Sequence, residues 1–245
     1  GDVVGIYDGS TKIGDAIVTA ADIQAGSLLV TTSAIADGAY TNITSSMVYG
    51  TDRGIVSAAL SPALVIDTLA PGTPSGRPDL TVASDTGASS TDNVTNDTTP
   101  TFTIPLTGTG AVAGDVVELY DGTTLLGSYT LSAGDITANS ASVTTVALAA
   151  GTYADIKYRV VDAAGNASGL SGSLAPALVI DTMAPGTPSG LPDLTVASDT
   201  GASSTDNVTT DTTPTFTIPL SGTGAVDGDV VELYDGTTLL GSYTL

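Results

Sequence analysis

PTFTIPLTGTGAVAGDVVELYDGTTLLGSYTL, residues 100–131, decides the fold. TFTIPL and DVVELY are short, alternate apolar with polar residues, and carry branched side chains, which is the signature of half-buried strands. Asp121-Gly122 then separates DVVELY from TTLLGSYTL, and Asp-Gly between two such runs is a strong hairpin signal. The same pattern continues outward. PDLTVAS (78–84) precedes the stretch, and SASVTTVAL (140–148), YADIKYRVV (153–161) and LAPALVI (174–180) follow it. Gly, Ala, Asn and Asp turns divide them, and no window sustains a 3.6-residue period. Seven short, evenly spaced strands predict an all-β fold, an antiparallel sandwich of immunoglobulin type. Gly151-Thr152-Tyr153, echoed by Gly38-Ala39-Tyr40, is placed as a tyrosine corner, with the hydroxyl bonded to backbone upstream.

The unit recurs. Residues 62–131 match residues 176–245 at all but five of 70 positions, with no gap and a period of 114. The differences are Leu69/Met183, Arg77/Leu191, Asn96/Thr210, Thr107/Ser221 and Ala113/Asp227. A weaker copy opens the chain, GDVVGIYDG at 1–9 against GDVVELYDG at 114–122. The reading is therefore residues 1–67 as the back part of one unit, 68–181 as a complete unit and 182–245 as the front part of a third, an excerpt of a longer array. LAPGTPSGRP (69–78) and MAPGTPSGLP (183–192) join the units. Three prolines in ten residues predict a semi-rigid, extended spacer, with the glycines tempering its stiffness.

Charge narrows the function. Five basic residues face 26 acids in 245 residues, a net charge of −21, which argues against nucleic acid and anionic membrane surfaces as partners. No apolar run approaches the ~20 residues of a spanning helix, so no membrane insertion is expected. Cysteine, tryptophan and histidine are absent, which removes disulfides, thiolate metal sites and any Ser-His-Asp system. No pair of carboxylates stands out as a glycosidase pair, and no small-molecule substrate is expected. All but two of the 26 acids are Asp, Glu118 and Glu232 being the exceptions; Asp is the residue of turns and of compact oxygen-ligand sites.

Those aspartates cluster. DTGASSTDNVTNDTTPTF (85–102) holds Asp85, Asp92, Asn93 and Asp97, and its copy (199–216) holds Asp199, Asp206, Asn207 and Asp211. Two carboxylates ~4 Å apart repel by ~1–4 kcal/mol, depending on the local dielectric. Hard oxygen ligands on a flexible loop suit Ca²⁺, with its 6–8 ligands. The alternative is a solvated series of Asx and Ser/Thr turns, in which Asp92 or Asp97 bonds its own backbone. Asp79, its copy Asp193, and Asp121 of the hairpin turn complete this group of candidates. A second candidate is a cation shared at the unit junction, between Asp67 or Asp181 of the VIDT strand end and Asp162 and Asn166 of VVDAAGN in the next unit. Its alternative is two unrelated solvent-facing turns. The first copy reads VYGTDR where the second has VDAAGN, and so departs from the pattern.

VIDTxAPGTPSG, PDLTVASDTGASSTDNVTNDTTPTF, LYDGTTLLG and VVDAAGN together resemble the tandem bacterial immunoglobulin-like repeats of giant Gram-negative surface adhesins, the biofilm-associated and RTX-type proteins exported by type I secretion. The resemblance implies an extracellular stalk stiffened by Ca²⁺ that projects a distal binding domain. Its partners are then neighbouring repeats of the same chain, the fragment is monomeric, and there is no catalysis. Three other readings stay open: a carbohydrate- or protein-binding module, a fibre subunit completed by strand exchange, and acidity as salt adaptation alone.

Overall fold

The computed structural model describes residues 1–50, 52–87, 89–226 and 228–245; Thr51 of the VYGTDR stretch, Ala88 of the acidic loop and Asp227 of the repeat differences lie outside them. The first stretch forms β1 (Val3–Asp8), β2 (Thr11–Ile17), α1 (Ala20–Ala25), β3 (Gly38–Tyr40), β4 (Ile43–Tyr49), β5 (Asp52–Val56) and β6 (Leu64–Ile66). Next come β7 (Asp79–Leu80), β8 (Val94–Thr95), β9 (Thr101–Pro105), β10 (Val116–Asp121), β11 (Thr124–Thr130), α2 (Ala133–Ala138), β12 (Ser140–Thr144), β13 (Gly151–Tyr153), β14 (Ile156–Val161) and β15 (Leu178–Ile180). The last part holds β16 (Asp193–Leu194), β17 (Phe216–Thr217), β18 (Val230–Asp235) and β19 (Thr238–Thr244).

Residues 79–180 form the sandwich that the alternation predicts. One sheet has the order β12-β9-β7 and the facing sheet β11-β10-β14. Every second residue turns inward: Phe102 and Ile104 from β9, Val117 and Leu119 from β10, Ile156, Tyr158 and Val160 from β14. The core is thus aliphatic around two aromatic rings, and the Tyr158 hydroxyl meets its hydrogen-bond need by donating to the Pro105 carbonyl. Burial pushes that hydroxyl up to about 12. The tyrosine corner is present in both copies. Tyr153 Oη donates to the Ala149 carbonyl at 3.0 Å, and Tyr40 Oη to Ala36 at 2.8 Å.

Several expected elements differ. SAGDITAN (132–139), which lies between two of the expected strands, forms α2 with its caps. Ser132 caps the helix and Asp135 reciprocates, a capping box that α1 repeats with Thr19 and Asp22. YADIKYRVV divides into β13 and β14, and SASVTTVAL is a strand only over β12. LAPALVI keeps only β15, which leaves the two main sheets. It pairs antiparallel with β13 and parallel with β8, a strand that the acidic loop itself supplies. The sandwich is therefore antiparallel except for this pair. In the β10–β11 hairpin the two turn residues are Gly122 and Thr123, with Asp121 paired to Thr124. Gly122 takes the positive φ of 57° that a tight hairpin demands of its first central residue.

The proline-rich spacer lies docked along the unit that follows it. Gly72 N–H donates to the Thr109 carbonyl at 2.7 Å, and both Ser75 N–H and Ser75 Oγ donate to Thr107. Gly186 and Ser189 repeat this with Thr223 and Ser221. Gly72 does not soften the linker: a Cβ there would sit 2.2 Å from the Gly108 carbonyl oxygen, so glycine is what permits the close approach.

Candidate functional site

The acidic loop is built mostly of turns. Asp92 Oδ1 accepts from Val94 N–H at 3.0 Å, and Asp97 Oδ1 accepts from Thr99 N–H at 2.8 Å. Asp97 Oδ2 accepts from Ser84 Oγ at 2.9 Å, and Ser84 Oγ in turn accepts from Thr101 N–H. Asp97 therefore stitches the loop to the start of β9. Asn93 adopts φ 59°, donates its side-chain amide to the Pro176 carbonyl at 2.7 Å, and offers its own carbonyl to Val179 N–H. Asn93 thereby ties the loop to β15. The bond to Pro176 engages its amide nitrogen.

Asp85 stands apart. Its side chain lies 5% exposed, and Oδ2 accepts only a long bond from Asn93 N–H, 3.3 Å. Oδ1 is buried and has no hydrogen-bond partner among the described residues. Burial, helped by the Asp92 carboxyl within hydrogen-bonding reach and by the more distant charge of Asp79, pushes the Asp85 carboxyl up against the pull of the Asn93 N–H. The copy repeats the geometry: Asp199 is 5% exposed, Asn207 N–H reaches Oδ2 at 3.3 Å, and Oδ1 is again buried without a partner among the described residues. An unpartnered buried carboxylate oxygen is costly, and here it occurs twice at equivalent positions.

The chemistry of the pair fits a hard cation: the Asp85 and Asp92 carboxyls come within hydrogen-bonding reach of each other, and both offer oxygen. Among the described residues, however, no three acidic side chains gather closely enough to hold a metal between them. The remaining ligands of any cation here come from neutral oxygens and water. Asp206 and Asp211 repeat the turn roles of Asp92 and Asp97, accepting from Val208 and Thr213 N–H. Bonds from Thr213 N–H and Ser198 hold the Asp211 carboxyl below its ordinary range. Asp79 and Asp193 sit at the starts of β7 and β16, exposed, and Asp121 accepts from Asp155 N–H at 2.9 Å, bracing the hairpin against the β13–β14 turn.

At the junction the structure brings the expected partners together through an amide. Asn166 Nδ2 donates to the Asp67 main-chain carbonyl at 3.0 Å and to Asp162 Oδ2 at 2.9 Å. Asp162 Oδ1 accepts from Ala164 and Asn166 N–H, and these bonds, the Asn166 side chain first, hold its carboxyl low. The Asp67 and Asp181 carboxylates each turn back to accept from the N–H two residues on, Leu69 and Met183. Sequence reasoning missed Asp37, which accepts from Thr68 Oγ1 at 3.0 Å and from Thr68 N–H at 3.3 Å. An Asp in the turn before the tyrosine corner, facing the last Thr of VIDT, was the available signal.

Paired sheets of this order, a tyrosine corner and a repeated unit define a tandem immunoglobulin-like β-sandwich protein. The chain belongs to the bacterial Ig-like domain family, whose sequence profile matches residues 73–182 and 187–244. No curated protein matches the chain. Members of this family are in general structural modules of the cell surface. Among the described residues no helix is long and apolar enough to cross a membrane.

Proposed function

We propose that the chain is a non-catalytic spacer of a large bacterial surface adhesin, with units spanning 1–67, 68–181 and 182–245 that Ca²⁺ stiffens. Its partners are the neighbouring repeats, and the fragment itself is monomeric outside the cell. The observation that carries this reading is the buried, unpartnered Oδ1 of Asp85 and its duplicate in Asp199. A loop that had evolved only as a turn series would leave a carboxylate oxygen without a donor at the surface, where water serves it, and not buried as Oδ1 is here. Family membership and the charge of −21 support the same reading.

In this reading Asp85 and Asp92 hold the cation, and Asn93 carries the effect outward, because it ties the loop to β15, which ends at the joint with the next unit. A bound cation supplies charge neutralisation where two carboxylates otherwise repel. Such a site adds RT ln(1 + [Ca]/Kd) to the stability of the unit, ~2.7 kcal/mol at a hundredfold excess over Kd. Weak extracellular-type sites, with Kd ~10⁻⁴ to 10⁻³ M, leave the chain labile in a calcium-poor cytoplasm and stable after export.

Thermal melts in EDTA, CaCl₂, MgCl₂ and NaCl at matched ionic strength, paired with small-angle scattering, test the proposal. The expected result is a melting temperature that rises with CaCl₂ and little with NaCl, and a maximum dimension that rises with it through the joint after Asp181. Equal effects of all salts would reduce the acidity to salt adaptation.

A further inference from the structure

We infer that the joint between residues 67 and 72 is a two-point latch of direct hydrogen bonds, and that the chain selects which unit pairs are latched through the residue at position 37. This goes beyond the spacer reading, since the latch needs no cation. From the upstream side, Asp37 grips Thr68 through both its carboxylate oxygens and the Thr68 N–H and hydroxyl. From the downstream side, Asn166 reaches back 99 residues to the Asp67 carbonyl, held in position by Asp162. The spacer is fixed to the downstream unit from Gly72 onward. Only Leu69, Ala70 and Pro71 remain between the two anchors, so the free contour is ~10 Å at ~3.5 Å per residue.

The surface fits one kind of partner: a preceding unit that ends in Ile-Asp-Thr and carries an acid in the turn before its tyrosine corner. Residues 36–40 and 64–68 meet both conditions. The second unit meets only one. It ends in Ile180-Asp181-Thr182, but Ala150 stands at the position of Asp37 and has no carboxylate to offer Thr182. On the other face, VYGTDR replaces the VDAAGN from which Asn166 reaches back. Joints along the array are therefore unequal, two-point where both groups are present and looser where either is missing.

Pulsed dipolar spectroscopy on the full chain tests this, because the absence of cysteine allows labelling at Ser27→Cys and Ser142→Cys alone. In EDTA the parent distance distribution is expected to be narrow. Asp37→Ala, which recreates the second unit's turn, and Asn166→Ala are each expected to broaden it. Together they free residues 67–71, and the width grows roughly 1.7-fold, in step with the contour. A distribution already broad in EDTA that narrows in CaCl₂ overturns the latch in favour of a metal-built joint, while sustaining the calcium reading. A narrow distribution that neither variant changes also overturns it, assigning stiffness to the docked spacer. The melting temperature of each variant, read alongside, checks that it stays folded.

Discussion

Replacing Asp85 and Asp199 together by Asn is expected to move stability in opposite directions with and without calcium. In the metal-free protein at neutral pH each carboxylate carries a buried oxygen without a donor among the described residues, and Asp85 also faces the Asp92 carboxyl. For Asp85 the sign follows from its raised folded-state value: such a carboxyl contributes stability that is fully present below its unfolded value, ordinarily 3.8, and is lost as pH rises through the folded one. At pH 7 the folded apo protein therefore carries the cost. Asn keeps a carbonyl for the Asn93 N–H and turns an amide donor toward Asp92. Relief of an unsatisfied buried group is worth ~1–3 kcal/mol, and because this loop lies near the surface the lower end applies, ~1 kcal/mol. That corresponds to a rise of ~4 °C in Tm for a unit of this size. In CaCl₂ at a hundredfold over Kd the parent gains ~2.7 kcal/mol, or ~10 °C, and the variant gains little. The two melting curves should thus exchange order between EDTA and calcium, as read by circular dichroism or calorimetry. A variant less stable than the parent in EDTA would show that Oδ1 has a partner after all. An undiminished calcium shift in the variant would place the metal elsewhere.

Further outcomes follow from the packing. Gly72→Ala forces a methyl to within 2.2 Å of the Gly108 carbonyl, so the spacer must lift; a loss of ~1–3 kcal/mol by chemical denaturation is expected, and no loss would mean that the spacer is not docked. Tyr153→Phe removes the hydroxyl bond to Ala149 and should cost about 1 kcal/mol, measurable as a shift in denaturation midpoint without a change in slope. Ser132→Ala deletes the cap of α2 at a similar cost, ~1 kcal/mol, with Ser132→Gly milder. Burial pushes the Glu118 carboxyl up, but Tyr120 and Arg159 outweigh it and hold the group low. Its contribution is present above the unfolded value near 4.5 and falls away as pH drops through the folded one, so Glu118→Gln should flatten the acid limb of the stability curve.

Period-two alternation located the main strands because their burial is one-sided, and β9, β10 and β14 match it residue by residue. It could not locate β8 or α2. Val94-Thr95 is too short to show alternation and becomes a strand only because Asn93 holds it against β15. Helix α2 is one and a half turns without a buried residue, so it has no apolar stripe to read; its Ser132–Asp135 capping box was the legible trace. The docking of the spacer was illegible for a related reason. Its prolines advertise extension, but docking is decided by main-chain bonds to Thr107 and Thr109, and side-chain type does not report these except through Gly72. The acidic loop was legible as a cluster but not as its parts, since an Asx turn and a cation ligand are the same residue until hydrogen-bond donors are assigned.

That assignment also explains why so acidic a chain tolerates its charge. Asp67, Asp92, Asp97, Asp162, Asp181, Asp206 and Asp211 each accept a main-chain N–H two residues on, which spreads their charge onto fixed dipoles at the surface. Such turns need the short Asp side chain, because one more methylene would carry the carboxylate past the N–H two residues on; this accounts for these seven of the 24 Asp without invoking metal. Composition is therefore weak support for calcium. The discriminating feature is narrower: Asp85 accepts from an N–H eight residues away, is buried, and leaves an oxygen unused, and its copy does the same. Metal should therefore be sought at that pair of oxygens before anywhere else in the chain.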